Sequence, residues 1–227
     1  MQLRMIYSIF YKEWIKIRYF FLALVCFNTA VCLKIWVDIR RQFQAEHAEM
    51  IWYQVIHIKS LFYSDICYIP LLSGICLAVV QFVPEILQKR LRLSLHLPVD
   101  RERLLAIFLA LGLGLYALLA LLDTAAIWAV SRFYFPVEVA VSSLTTFLPW
   151  HYAGFAGYLG MSLILLEPAW SRRVFVLLVF SGFVSLLFSG SGYCRLNPAL
   201  PWLMLLAPLF FLTVFQGGCR FQQGEVT

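Results

Sequence analysis

Six long runs of apolar residues limit what this chain can fold into more than any other feature of its sequence. The runs are residues 19–37, 61–82, 104–130, 144–166, 174–190 and 200–216. A helix that crosses the roughly 30 Å core of a bilayer needs about 17–25 residues, because each residue adds about 1.5 Å. All six runs reach that length. They therefore predict an all-α integral membrane protein with six transmembrane helices.

The composition is typical of a chain whose surface mostly contacts lipid. Hydrophobic residues make up 62% of the sequence, charged residues 13%, and the mean hydropathy is +0.82. A soluble domain carries about twice that charged fraction. The excess of apolar surface is too large for one compact core, so we expect residues 1–227 to form a single transmembrane domain.

The first residues carry a different pattern, which predicts an interfacial elbow helix over residues 1–17. Polar and basic residues recur every fourth position: Arg4, Ser8, Lys12 and Lys16. Apolar residues occupy the opposite stripe: Leu3, Ile6, Phe10, Trp14 and Ile17. A helix of this kind lies at the depth of the lipid headgroups. The alternative is a cytosolic start to one long first helix.

The positive charge of the chain predicts its orientation. The formal net charge is +6, and the basic residues cluster in short segments between apolar runs. With a cytoplasmic N-terminus, 12 of the 18 lysines and arginines lie inside and 6 outside. Cytoplasmic loops are enriched in such residues, so both termini are expected in the cytoplasm of a bacterial inner (plasma) membrane. A nucleic-acid partner is not expected.

The sequence does not predict catalysis or metal binding. It contains no phosphate-binding P-loop, no His-Glu-x-x-His and no Gly-x-Ser-x-Gly motif. None of the four histidines has a partner at a catalytic spacing, and no cysteine or histidine spacing suits zinc. We therefore expect no catalytic residue, no metal site and no cofactor in this chain.

The most informative segment is residues 83–103, between the second and third runs. Pro84 favours a helix start, and Glu85 suits the positive end of that helix. Leucines and basic side chains then alternate around the helix: Leu87, Lys89, Arg90, Leu91 and Arg92. Pro98 ends it. The pattern predicts a short amphipathic helix in the cytoplasm, which is either a docking element or a basic loop that only fixes topology.

In these segments the sequence resembles the permease subunits of type-2 ABC exporters. Such subunits typically begin with a basic and aromatic elbow helix, matched here by Phe-Tyr-Lys-Glu-Trp at residues 10–14, followed by six spans. Between spans two and three they carry an acidic residue, a leucine-rich basic stretch and a Leu-Pro-Val-Ser-Arg-like turn. Glu85 and the Leu-Pro-Val-Asp-Arg of residues 97–101 match those features, with Asp in place of Ser.

The resemblance implies a function and a set of partners. Residues 83–103 would form the coupling segment that contacts a separate ABC ATPase subunit, and ATP would bind to that subunit. The implied coupling residues are Glu85, Leu87, Lys89, Arg90, Leu91 and Arg92. A second permease subunit, identical or paralogous, would complete the exporter within the lipid bilayer. The resemblance does not identify the substrate.

Ionisable residues within the spans are scarce, and Asp65, Asp123 and His151 form a candidate intramembrane polar site. Such groups are costly in lipid unless they are paired or hydrated. They predict either a substrate-binding site or structural pairing between helices. Two further functions stay open: a membrane-embedded enzyme acting on lipid or peptide through these residues, and an accessory subunit of a membrane complex.

Small residues predict where helices approach each other. Gly154, Gly157 and Gly160 recur at spacing three in the fourth run, and a series ending at Gly114 recurs at spacing four in the third. Small residues allow close packing of helices in lipid. The alternative is that glycine is simply common in membrane spans.

Overall fold

A computed structural model describes residues 2–87, 101–189, 196, 198–206, 209–210, 212–214 and 216. This part of the chain is 88% helix and contains no strand, which confirms the all-α prediction for it. The helices are α1 (Gln2–Ala45), α2 (Ala48–Ile56), α3 (Ile69–Leu87), α4 (Arg101–Tyr134), α5 (Val137–Leu166), α6 (Trp170–Phe188) and α7 (Leu200–Met204). A 3-10 turn at Ser64–Ile66 precedes α3.

Among the described residues, four stretches are long and apolar enough to cross a membrane, as in a multi-pass membrane protein. They are Tyr7–Ala45, Ser64–Leu87, Arg103–Tyr134 and Trp170–Phe188. Helix α5 is also long, but the Pro-Trp-His-Tyr sequence at residues 149–152 lowers its hydropathy. The sixth predicted span, residues 200–216, is described only in part. The prediction of six spans is therefore not confirmed.

The predicted elbow helix and first span form one continuous helix. Helix α1 has 44 residues, so its length is about 66 Å, roughly twice the thickness of a bilayer core. No glycine or proline occurs in the first 50 residues to interrupt it. A separate elbow helix is not confirmed, and the alternative of one long first helix describes α1 better.

Helix α5 is the centre of the bundle. It packs against α3, α4 and α6, and more than half of its residues are buried. Helix α6 is mostly exposed on its outer face. The central position explains the lower hydropathy of α5, because a helix surrounded by other helices needs less apolar surface than one that faces lipid.

Glycines bring the backbones of α3 and α5 into contact. A Cβ atom on Gly74 would lie 2.1 Å from the carbonyl oxygen of Gly154, and one on Gly154 would lie 2.3 Å from that of Pro70. Gly157 and Gly160 also face close neighbours, whereas a Cβ on Gly114 would have nothing within 4 Å. The series on α5 is therefore a packing surface, and Gly114 on α4 is not.

The prediction that Pro84 begins a new helix is wrong. Helix α3 continues through Pro84 to Leu87, so Pro84 lies inside its last turns. Residues 88–100, which hold the rest of the predicted coupling helix, lie outside the described residues.

Candidate functional site

Glu85, a predicted coupling residue, lies inside the helical bundle. Its side chain is only 2% exposed. One carboxylate oxygen, Oε1, is 3.2 Å from Nζ of Lys16 and 3.6 Å from Nζ of Lys12. The last turn of α3 is therefore held against the first half of α1.

Besides Glu85, the ammonium group of Lys16 contacts two further acceptors, one on α1 and one on α3. Its Nζ is 2.5 Å from Oε2 of the buried Glu13 and donates to the carbonyl oxygen of Gln81 at 3.1 Å. Helical spacing explains the arrangement, because Glu13 and Lys16 lie three residues apart on α1, and Gln81 and Glu85 four apart on α3. The two lysines, Lys12 and Lys16, balance the two glutamates, as buried carboxylates require.

Gln81 extends the arrangement to two more helices. Its Nε2 donates to the carbonyl oxygen of Phe108 on α4 at 2.7 Å. The hydroxyl of Tyr158 on α5 donates to Oε1 of Gln81, also at 2.7 Å. We call the six side chains the charge network: Lys12, Glu13, Lys16, Gln81, Glu85 and Tyr158. It links α1, α3, α4 and α5 at one end of the bundle.

The other predicted coupling residues differ in their placement. Leu87, at the end of α3, is 76% exposed and available to a partner. Lys89, Arg90, Leu91 and Arg92 lie outside the described residues. Their contact with an ATPase stays a prediction.

His151 is held between α4 and α5 by two contacts. The hydroxyl of Tyr116 donates to the His151 carbonyl oxygen at 2.8 Å, and Oγ1 of Thr124 lies 2.9 Å from Nε2. Thr124 has one hydroxyl proton, which it donates to the carbonyl oxygen of Ala120 at 2.6 Å. With the Thr124 proton on the bond to Ala120, Nε2 of His151 is the donor in the contact with Thr124. Its Nδ1 is buried without a hydrogen-bond partner among the described residues.

Asp123 precedes Thr124 and lies on the same face of α4 as Tyr116, two turns away. It is 3% exposed. Within the described part of the chain its carboxylate makes no hydrogen bond or ion pair. Asp123 and His151 thus belong to the same region of the α4–α5 contact, although no direct bond joins them there.

Asp65 is not bonded to these two residues in the described structure. Its carboxylate forms a close ion pair with Lys34 of α1, and both side chains are exposed. His151 lies near the middle of α5, because this helix begins at Val137 rather than at residue 144. The predicted three-residue site is therefore reduced to a pair of candidates.

Sequence reasoning missed three of the six residues of the charge network. Glu85 was selected from its place before the basic stretch, but Glu13, Gln81 and Tyr158 were not. The available signal was the spacing of Glu13 from Lys16 and of Gln81 from Glu85. That spacing shows that each pair shares a helix face, but not that the two faces meet.

The charge network joins four helices, and Glu85 lies two residues before Leu87, the last residue of α3. The described residues include no group of three or more His, Cys, Asp or Glu side chains placed to hold a metal. Comparison of the chain with models of known families, with curated proteins and with solved structures finds no match.

Proposed function

We propose that the chain is the membrane-spanning permease subunit of an ATP-driven ABC exporter in a bacterial plasma membrane. A separate subunit would bind and hydrolyse ATP, and a second permease, identical or paralogous, would complete the path. The sequence resemblance supports this proposal, and so do the helices long enough to cross a membrane. The observation that carries it is the position of Glu85 in the charge network.

Glu85 lies three residues before the first residue of the 88–100 segment. A force on that segment reaches the last turn of α3 through Leu87 and the start of α4 through Arg101. It then passes through Lys16 to α1, and through Gln81 to Phe108 on α4 and Tyr158 on α5. Motion of one cytoplasmic segment would in this way move four helices together, as an exporter needs when its ATPase changes shape.

The proposal divides the coupling residues into two roles. Glu85 faces inward and anchors the segment to the bundle. Leu87, together with Lys89, Arg90 and Arg92, faces the ATPase, where the leucine fills an apolar groove and the basic side chains pair with acidic groups. The segment would therefore be more than a simple docking helix, because the buried carboxylate of Glu85 transmits force to the bundle and does not itself bind the ATPase.

The test is purification of the tagged chain from native membranes after mild cross-linking. We expect an ATPase subunit to copurify, and the recovered complex to hydrolyse ATP. Replacing Lys89, Arg90 and Arg92 with glutamate should abolish recovery of the ATPase without reducing membrane insertion. The same replacement at Arg40, Arg41 and Lys59, at the other end of the bundle, serves as the control. Normal ATPase recovery and turnover in the first variant would contradict the coupling assignment.

The alternative of a membrane enzyme has no specific support in the described residues. It required Asp65, Asp123 and His151 to act together, and the carboxylate of Asp65 pairs with Lys34 instead. An accessory subunit would share the same fold. The purification experiment separates it from a permease, because ATP hydrolysis would then not respond to changes in residues 88–92.

A further inference from the structure

An apolar groove of about 380 Å³ lies between α5, α6 and the described residues beyond Leu200. Leu163 of α5, Val179 and Phe183 of α6, and Leu209 line it. Thr213 is the one polar residue in its described lining. A volume of this size accommodates a small ligand, and the lining selects an apolar one.

Phe175 and Val179 line the groove and are 67% and 51% exposed, so the groove is open where α6 presents these side chains. Next to Val179, the side chain of Leu178 does not line the groove and is 62% exposed. In a membrane this face of α6 contacts lipid. A molecule that enters the groove from the side therefore comes from the bilayer, and its apolar part is a hydrocarbon chain.

Two arginines, Arg172 and Arg173, lie within one helical turn before Phe175, the first residue of α6 in the groove lining. On α6, Arg172, Phe175, Val176 and Val179 follow the spacing of one helix face, and the last three line the groove. Arg172 is 40% exposed and lies 3.5 Å from the buried Glu167, while Arg173 Nε donates to the carbonyl oxygen of Glu167 at 2.5 Å. One carboxylate and two guanidinium groups leave one net positive charge at this turn.

The residues around this turn are typical of the depth of the lipid headgroups. Trp170, at the start of α6, is 75% exposed, and tryptophan is enriched at that depth. Basic pockets between membrane helices bind anionic lipid headgroups. We propose that the groove binds an anionic phospholipid, with an acyl chain against α5 and α6 and its phosphate at Arg172 and Arg173. This proposal does not depend on a partner ATPase.

The experiment uses the full chain in phosphatidylcholine vesicles with a trace of spin-labelled phosphatidylglycerol or spin-labelled phosphatidylcholine. Electron paramagnetic resonance measures the fraction of each lipid immobilised by the protein. We expect immobilised phosphatidylglycerol to be preferred about fivefold, as one net positive charge near the surface provides. The Arg172→Gln/Arg173→Gln variant should lose this preference. Arg40→Gln/Arg41→Gln, at the other end of the bundle, should keep it.

A second pair of variants tests the groove itself. Val179→Trp places a large side chain in the groove, whereas Leu178→Trp adds the same side chain beside it, and both positions are exposed enough to preserve the fold. Val179→Trp should reduce the immobilised fraction of both lipids, and Leu178→Trp should not. Equal binding of the two lipids by the unmodified chain would overturn the proposal. So would a preference that survives loss of both arginines, or an immobilised fraction that Val179→Trp leaves unchanged.

Discussion

Two buried polar side chains in the bundle differ in whether they have a partner. Asn28 of α1 is 2% exposed and donates to the hydroxyl of Ser73 on α3 at 3.1 Å. Asp123 is equally buried, yet no described residue hydrogen-bonds or ion-pairs with its carboxylate. Burial of an unpaired carboxylate costs free energy, so Asp123 is expected to serve a purpose other than stability.

Replacing the two residues with leucine should therefore have opposite effects on thermal unfolding in detergent. Asn28→Leu should lower the free energy of unfolding by about 1–3 kcal/mol, because it leaves Ser73 buried without its partner. Asp123→Leu should leave stability unchanged or raise it by a similar amount, because an isolated buried carboxylate is removed. A clear loss of stability in Asp123→Leu would indicate a partner outside the described residues and a structural role.

The function of Asp123 is tested by a variant of the same shape. In the proposed exporter, Asp123→Asn should keep normal expression but reduce ATP-dependent transport, because the charge is lost while the side-chain volume is preserved. Transport assays in membrane vesicles measure the reduction. The control is Asp65→Asn, which makes the same change in the exposed ion pair with Lys34. Normal transport in Asp123→Asn would leave the buried carboxylate without a functional explanation.

Lys12 and Lys16 contact the same carboxylate but should differ in their importance. Lys16 is 19% exposed and contacts both Glu13 and Glu85, whereas Lys12 is 47% exposed and lies 3.6 Å from Glu85. Lys16→Met should lower the free energy of unfolding by about 3–5 kcal/mol, because two buried carboxylates lose their main partner. Lys12→Met should cost about 1 kcal/mol or less. Equal effects in urea or thermal unfolding would contradict the assigned geometry of the charge network.

At the level of helices, the contact between α3 and α5 depends on two glycines with no room for a side chain. A Cβ on Gly154 would collide with the carbonyl oxygen of Pro70 and the hydroxyl of Tyr116. Gly154→Ala should therefore lower stability by about 1–3 kcal/mol through overpacking. Gly114→Ala on α4 has open space around it, so stability should stay equal or rise by about 1 kcal/mol from better helix propensity. Thermal unfolding of both variants measures the difference, and a similar loss in each would rule out the close contact.

Helix positions were more predictable than helix ends. The apolar runs located the cores of α3, α4, α5 and α6, because hydropathy reports where a chain meets lipid. It does not report where a helix ends, since backbone hydrogen bonds continue beyond the bilayer. The apolar runs 104–130 and 144–166 therefore leave residues 131–143 between them, while the structure leaves only Phe135 and Pro136 between α4 and α5. For the same reason, hydropathy alone did not show that α1 is one continuous helix that includes both the elbow segment and the first span.

For the whole molecule, contacts between distant helices were beyond what one sequence reveals. Glu85 and Lys16 lie 69 residues apart, and nothing in either segment specifies that their helix faces meet. The close backbone contact at Gly74 and Gly154 holds α3 against the central helix, and the Glu85–Lys16 contact depends in addition on how α1 packs against α3. Charge spacing identified the residues of each face, and packing decided which faces came together.

The charge network also bears on the topology of the entire chain. It joins the first half of α1 and the start of α4 to the ends of α3 and α5, so these helices alternate in direction across the bundle. Helix α6 then runs away from that end. Residues 200–216, whose described part includes helix α7, must return for both termini to lie on the same side.

We predict that they do return, because the basic bias favours a cytoplasmic location for both ends. A fluorescent protein fused after residue 217 should be bright, and alkaline phosphatase at the same point inactive. Phosphatase inserted after Leu196, between α6 and α7, should be active because this topology puts that position on the outer side. A fusion after Leu87 serves as the cytoplasmic control. Active phosphatase after residue 217 would mean that residues 200–216 do not cross, that the spans are odd in number, and that the termini lie on opposite sides.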